Sequence, residues 1–165
     1  MGKYDHMTAN EVKNSMLAYF RFHRGYPYIA TEYLDCDVVT SEGRNFIEVE
    51  VKVSWHDYLQ EWKKDKHTNS HRNNRGPIEF GFIHRYNPNR RYFAAPPELA
   101  ERIAEDLATR CPEYGVFQVW PRGQVISIRK AKARHKEPIP FGLLSEIVAR
   151  ASSELITLRR KVRAV

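Results

Sequence analysis

At 165 residues and 19.4 kDa the chain suits one domain, large enough to bury a core. Its 27 Lys and Arg against 20 Asp and Glu give a net charge of +7, an excess that points to a polyanionic partner, because phosphate backbones reward cations through counterion release. No apolar run could cross a bilayer, Met1 to His6 lacks the apolar stretch of a signal peptide, and two cysteines are too few for a disulfide framework or a cysteine zinc site, so a cytoplasmic protein with Cys36 and Cys111 reduced is expected.

From Thr8 to Phe22, apolar residues recur at Val12, Met16, Leu17, Tyr19 and Phe20 with helical spacing. Thr8 is placed to cap that helix, with Glu11 three residues on to complete a capping box. Tyr26 to Leu34 reads as the first strand. A second follows from Asp35-Cys36-Asp37-Val38-Val39, and a third from Ile47-Glu48-Val49-Glu50-Val51-Lys52-Val53, joined by a short turn at Gly43 to Asn45. Alternation on the third strand sends Glu48, Glu50 and Lys52 to one face and Ile47, Val49, Val51 and Val53 to the core. Asp35 and Asp37 share a face of the second strand. If the two strands pair, Asp37, Glu50 and Lys52 form one cluster.

The residue types in that cluster suit metal-assisted phosphodiester chemistry. Hard divalent cations such as Mg²⁺ take oxygen ligands and usually keep several waters, so one or two carboxylates and a substrate phosphate complete the shell. A metal held by Asp37 and Glu50 can polarise a phosphodiester oxygen, and Lys52 beside it can orient a water or offset charge on the phosphate. An exposed polar face of a half-covered antiparallel sheet would show the same alternation. After the strand, Ser54 to His67 carries Trp55, Tyr58, Leu59 and Trp62 at i, i+3, i+4 and i+7, an amphipathic helix with Ser54 as N-cap.

Asp37, then Glu50-Val51-Lys52 after a hairpin turn, then a helix, resembles the PD-(D/E)XK phosphodiesterase superfamily. Within it, Cys36-Asp37-Val38-Val39, Ile47 to Ser54, the helix after it and the later strand Arg91-Tyr92-Phe93-Ala94-Ala95-Pro96 are similar to the MmcB-like DNA-repair nucleases, over residues 8 to 130. The resemblance implies an α/β restriction-endonuclease-like core, a central mixed sheet flanked by helices, and a Mg²⁺-dependent deoxyribonuclease, with Mn²⁺ as an alternative cofactor. It makes Asp37 the first-motif acid, Glu50 the second-motif acid, Lys52 the motif lysine and the Val51 carbonyl an extra metal ligand. Cys36 stands where the first motif's proline would be.

Basic residues cluster after the site. Residues 63 to 75 include Lys63, Lys64, Lys66, Arg72 and Arg75, a DNA-contact stretch by its proximity, with Arg85, Arg90 and Arg91 on the next loop. A second run from Arg129 to Lys136 reads equally as a solvated loop or a DNA contact. Ile78 to Arg85 suggests an extra strand or ordered loop and Tyr92 to Ala95 a core strand. Pro97 to Arg110 follows as a helix with Leu99, Ile103 and Leu107 on one face. Val116 to Trp120 and Val125 to Arg129 form a hairpin. Residues 1–137 make the nuclease-like domain, and Phe141 to Arg163, after a Pro138/Pro140 linker, make a C-terminal amphipathic helix packed on it that could also serve a homodimer.

Among the supporting residues, Glu11 could complete the metal site or simply cap its helix. The resemblance to MmcB-like sequences also implies Glu32 as a supporting acid, and Glu48, about 6.6 Å from Glu50 along the strand, is a further one. His56 is a candidate general acid or base. His67 and His71 have the spacing of a metal pair but no third ligand nearby, which favours solvent or phosphate contact. Two function classes remain: a metal-dependent nuclease acting on DNA, and a nuclease-fold protein that binds DNA without cutting it.

Overall fold

The computed structural model describes residues 7–64, 67 and 87–163. Helix α1 (Ala9–Ala18) runs into a π-helical turn (Tyr19–His23) and is followed by strands β1 (Tyr28–Tyr33), β2 (Cys36–Ser41) and β3 (Phe46–Val51). Then come α2 (Trp55–Glu61), β4 (Arg90–Ala95), α3 (Pro97–Arg110), β5 (Gly115–Val119), β6 (Val125–Arg129) and α4 (Phe141–Arg163). The architecture is α/β: one six-stranded mixed sheet in the order β1-β2-β3-β4-β5-β6, flanked by helices. β1, β2 and β3 pair antiparallel, β4 and β5 join in parallel through the α2 and α3 crossovers, and β6 returns antiparallel. Among the described residues no helix is long and apolar enough to cross a membrane.

Local chemistry accounts for most element boundaries. Thr8 and Glu11 form the capping box of α1, Glu11 accepting from the Thr8 backbone N–H at 2.7 Å and Thr8 Oγ1 from the Glu11 N–H at 3.2 Å. Leu34 and Asp35 make a two-residue turn between β1 and β2, with φ of 56° and 57°. Positive φ at both positions suits the right-handed twist of the flanking strands. Asp35 is therefore a turn residue rather than the strand residue expected. At Gly115 the constraint is steric: a Cβ would stand 2.3 Å from the Tyr92 ring, so only glycine lets β5 pass.

The two faces of the sheet carry different loads. Under α1, Val12, Met16 and Phe20 pack on Val38, Val49, Val51, Tyr92, Ala94 and Phe117. On the opposite face the first turns of α4, through Leu143, Leu144 and Ile147, pack with Ala30, Val39 and Phe46. At the other end of that face α2 and α3 pack through Tyr58, Ile103 and Leu107 on Phe93 and Val116. Between these two apolar clusters lies the polar side of β3. α4 is held to β1 by hydrogen bonds from the Tyr33 hydroxyl to Glu146, from Thr31 Oγ1 to Glu154 at 2.8 Å, and from Arg150 Nε to the Thr31 carbonyl at 3.2 Å.

Several expected details shift. β3 ends at Val51, so Val53 leaves the core and is 40% exposed. α2 stops at Glu61, well short of His67, and its buried side is Tyr58 with Glu61, while Leu59 turns outward. α4 matches the expected span, yet Leu155, Ile156 and Leu158 in its second half are exposed rather than packed. The strand or ordered loop expected at Ile78 to Arg85 lies outside the described residues.

Candidate functional site

Every residue of β3 is buried, so carboxylates on it must be compensated. A buried charge without a partner costs far more than a surface ion pair returns. Glu48 takes Arg91 Nε at 3.2 Å, from the residue opposite it on β4. Glu50 faces Lys52 Nζ at 3.7 Å, just past the end of the strand. Lys52 makes its shorter contact elsewhere: its ammonium donates to Glu61 Oε2 at 2.8 Å, and Asp57 stands 3.9 Å away.

These pairs extend into a ring. The other oxygen of Glu61 meets His67 Nε2 at 3.1 Å, His67 Nδ1 meets the Tyr114 hydroxyl at 3.0 Å, and Arg91 donates to that hydroxyl at 2.9 Å. Because a carboxylate only accepts, a neutral His67 carries its proton on Nε2 and leaves Nδ1 to accept from Tyr114. The path Glu50, Lys52, Glu61, His67, Tyr114, Arg91, Glu48 thus starts and ends on β3. Burial raises the Tyr114 pKa; it works most strongly against charge on Arg91, but Glu48 and Tyr114 together outweigh it and the guanidinium stays firmly protonated.

Asp37 enters from β2. Its Oδ2 accepts the Val51 N–H at 2.8 Å, and its Oδ1 lies 2.9 Å from Lys13 Nζ of α1, which also pairs with Glu32. Burial pulls the Lys13 pKa down, but Glu32 and Asp37 together hold it above its ordinary value. Cys36 and Val39, three residues apart, share one apolar cluster, so strict alternation breaks at the start of β2. The break sets Cys36 Sγ and carboxylate oxygens of Glu48 and Glu50 within 4.8 Å of one another.

Helix α2 is locked in the orientation that aims Glu61 inward. Ser54 caps it by accepting the Asp57 N–H at 3.1 Å, and the buried Tyr58 hydroxyl donates to Asp106 of α3 at 2.6 Å. Arg110 pairs with the same Asp106 at 2.6 Å and lies over the Trp62 ring, while Arg102 stacks 3.8 Å above Trp55. Burial favours the neutral form of Asp106, but Arg110 and Tyr58 win and its pKa is lowered.

The β2 and β3 side of this network opens onto a cavity of about 700 Å³ whose lining includes Asp37, Glu50, Val51 and Lys52, the four residues singled out from sequence. Glu32, Glu48, Lys63 and Lys64 line it too. Lys64, half exposed, contacts Glu61 at 2.7 Å and Glu50 at 4.0 Å. Glu32, Leu34 and Asp35 at its rim all have positive φ, a conformation L-residues adopt at a cost and one that clusters at functional sites.

Other expected residues are placed elsewhere. Glu11 is spent on the capping box, with its pKa lowered by the Thr8 backbone N–H, and does not line the cavity. His56 is exposed on α2 beside Gln60, outside the cavity lining. His67 is buried in the ring, not open to solvent or phosphate. Arg91 belongs to the ring, and Arg90 donates to the Ala131 carbonyl at 3.0 Å, so neither sits on a loop. In the second basic run, Arg129 binds the Tyr114 and Pro112 carbonyls and Arg134 binds Asn87, leaving Lys130, Lys132 and Lys136 exposed. Lys66, His71, Arg72, Arg75 and Arg85 lie outside the described residues.

The residues not anticipated from sequence are Glu61, Tyr114, Lys13 and Arg91 as a buried partner. One signal was available: two acids on an otherwise apolar central strand require buried cations somewhere in the chain. No family model, curated protein or solved structure matches this chain.

Proposed function

We propose that the chain is a metal-dependent nuclease of the PD-(D/E)XK type, close in kind to the MmcB-like nucleases. It hydrolyses DNA phosphodiester bonds in repair, recombination or the processing of phage and mobile-element DNA. The observation that carries this is the convergence of Asp37, Glu50, Val51 and Lys52 on one cavity, with Lys63 and Lys64 at its side. The order α1, three strands, α2, β4 is also that of the PD-(D/E)XK core.

The donor set fits Mg²⁺ or Mn²⁺: two carboxylates and a main-chain carbonyl are hard oxygen ligands, and the Cys36 thiol nearby is a poor ligand for such a cation. A bound divalent cation would supply charge on a phosphate oxygen and a more acidic water. Lys52 places a cation against the phosphate at the same spot. Lys63 and Lys64 hold the backbone by charge, without reading sequence.

Incubation of the protein with a panel of duplex, single-stranded, branched and damaged DNA tests the reading. Cleavage of at least one substrate is expected in Mg²⁺ or Mn²⁺ and none in excess chelator. Activity that persists in chelator overturns the metal role. Tight binding with no cleavage of any substrate favours the DNA-binding alternative instead.

The basic stretch makes a separate prediction. In an Asp37→Asn background, replacing Lys63, Lys64, Lys66 and Arg72 together by Gln is expected to weaken duplex binding and flatten its salt dependence by ~0.9 for each phosphate no longer neutralised. Binding titrations from low to high salt measure the slope. An unchanged slope would move the DNA surface to Lys130, Lys132 and Lys136.

A further inference from the structure

We infer that Glu61 is the positioning residue for Lys52, and that His67 sets the orientation of Glu61 from outside the cavity. The inference rests on the nuclease reading for its kinetic consequence but not for its structural one. Three carboxylates approach the Lys52 ammonium, and the shortest contact, 2.8 Å, is to Glu61 on α2 rather than to Glu50 on its own strand at 3.7 Å.

A lysine side chain has four rotatable bonds and would otherwise settle against the nearest metal-ligating acid. That would neutralise Glu50 and remove the cation from the phosphate. Glu61 prevents both. It is the most deeply buried of the acids around the cavity, 1% exposed, and it stands behind Lys52 and Lys64 rather than in the cavity lining.

Its own rotamer is fixed from behind. His67 Nε2 donates to Glu61 Oε1, and Tyr114 and Arg91 fix His67 in turn, so the two oxygens of Glu61 divide their partners, Oε1 taking the imidazole and Oε2 the lysine. Lys64 shares Oε2 at 2.7 Å from the solvent side. A group that orients a site residue from behind typically governs activity by roughly 10- to 100-fold.

The test uses the full-length protein with Glu61→Gln, which keeps volume and one acceptor, and His67→Gln, which keeps a donor for Glu61. Three measurements are made on each: kcat and KM on the DNA substrate cleaved by the wild type, Mn²⁺ affinity by calorimetry, and the ¹⁵N side-chain ammonium resonance of Lys52, identified by its loss in Lys52→Met. In Glu61→Gln kcat is expected to fall roughly 10- to 100-fold with KM unchanged and Mn²⁺ affinity lowered by much less than kcat as Lys52 shifts toward Glu50, and the Lys52 resonance to broaden away as proton exchange with water speeds up. His67→Gln should show the same pattern more weakly. Loss of Mn²⁺ affinity in step with kcat would make Glu61 a metal ligand and overturn the inference, as would an unaltered Lys52 resonance. If the wild type cleaves nothing, the nuclease reading fails, and the resonance alone still decides whether Glu61 holds Lys52.

Discussion

Replacing Asp37 by Asn, or Glu50 by Gln, is expected to lower cleavage by ~10³ or more, at or beyond the upper end of what one electrostatic group in an active site is worth. Each exchange removes one anionic oxygen from the proposed metal site while keeping the side chain's shape. The fold should survive both. Asn at position 37 can still accept the Val51 N–H that Asp37 accepts at 2.8 Å, and Lys13 keeps Glu32 as its partner. Lys52 keeps Glu61 at 2.8 Å when Glu50 loses its charge. Single-turnover cleavage together with calorimetric Mn²⁺ titration checks the prediction: rate and metal affinity should fall together, with urea unfolding midpoints close to wild type. Full activity in either variant would remove that residue from the site.

Geometry alone makes the two acids unequal. Asp37 is tied to a backbone N–H and to Lys13, whereas Glu50 shares the buried neighbourhood of Lys52 and Lys64. Around the cavity the buried carboxylates Glu48, Glu50 and Glu61 face the buried cations Lys52 and Arg91, and the half-exposed Lys64 adds a further positive charge. A divalent cation entering the cavity would therefore compete with an ammonium that solvent can accept back. Both Glu50→Gln and Asp37→Asn should weaken metal binding through the lost carboxylate, while in Glu50→Gln Lys64 stays on Glu61 at 2.7 Å.

Most of the fold was legible from periodicity and punctuation. The helical spacing over Pro97–Arg110 and Phe141–Arg163 coincides with α3 and α4, and the Thr8/Glu11 pair marks the start of α1. Alternation correctly separated Glu48, Glu50 and Lys52 from Val49 and Val51, because β3 is regular and central. It misplaced Asp35 and Val53, where a positive-φ turn and the end of the strand break the period. Asp37, Glu50, Val51 and Lys52 were legible because they lie on, or one residue beyond, two adjacent strands joined by a short turn. The ring around them was not. Glu61, His67, Arg91 and Tyr114 come from separate parts of the chain, and each had an ordinary local explanation: a helix acid, a polar stretch, a basic loop and one aromatic among many. Their adjacency is created by the crossovers of α2 and α3 and leaves no periodic trace.

The Lys52 substitutions separate chemistry from architecture. Lys52 is 4% exposed and sits between Glu50 and Glu61, so Lys52→Met should destabilise the protein as well as slow it. Breaking a buried pair from one side costs about 3–5 kcal/mol, because the partner charge is left uncompensated. Here Lys64 and His67 remain on Glu61, which places the expected loss near the lower end. The rate should fall by ~10²–10³ for loss of the cation at the phosphate. Adding Glu61→Gln removes the stranded carboxylate, so the double variant should recover part of the stability measured by urea unfolding while its single-turnover rate stays as low as that of Lys52→Met. Recovery of rate along with stability would mean that Lys52 serves the buried network alone, and the phosphate would then need a different cation, with Lys64 the nearest one lining the cavity.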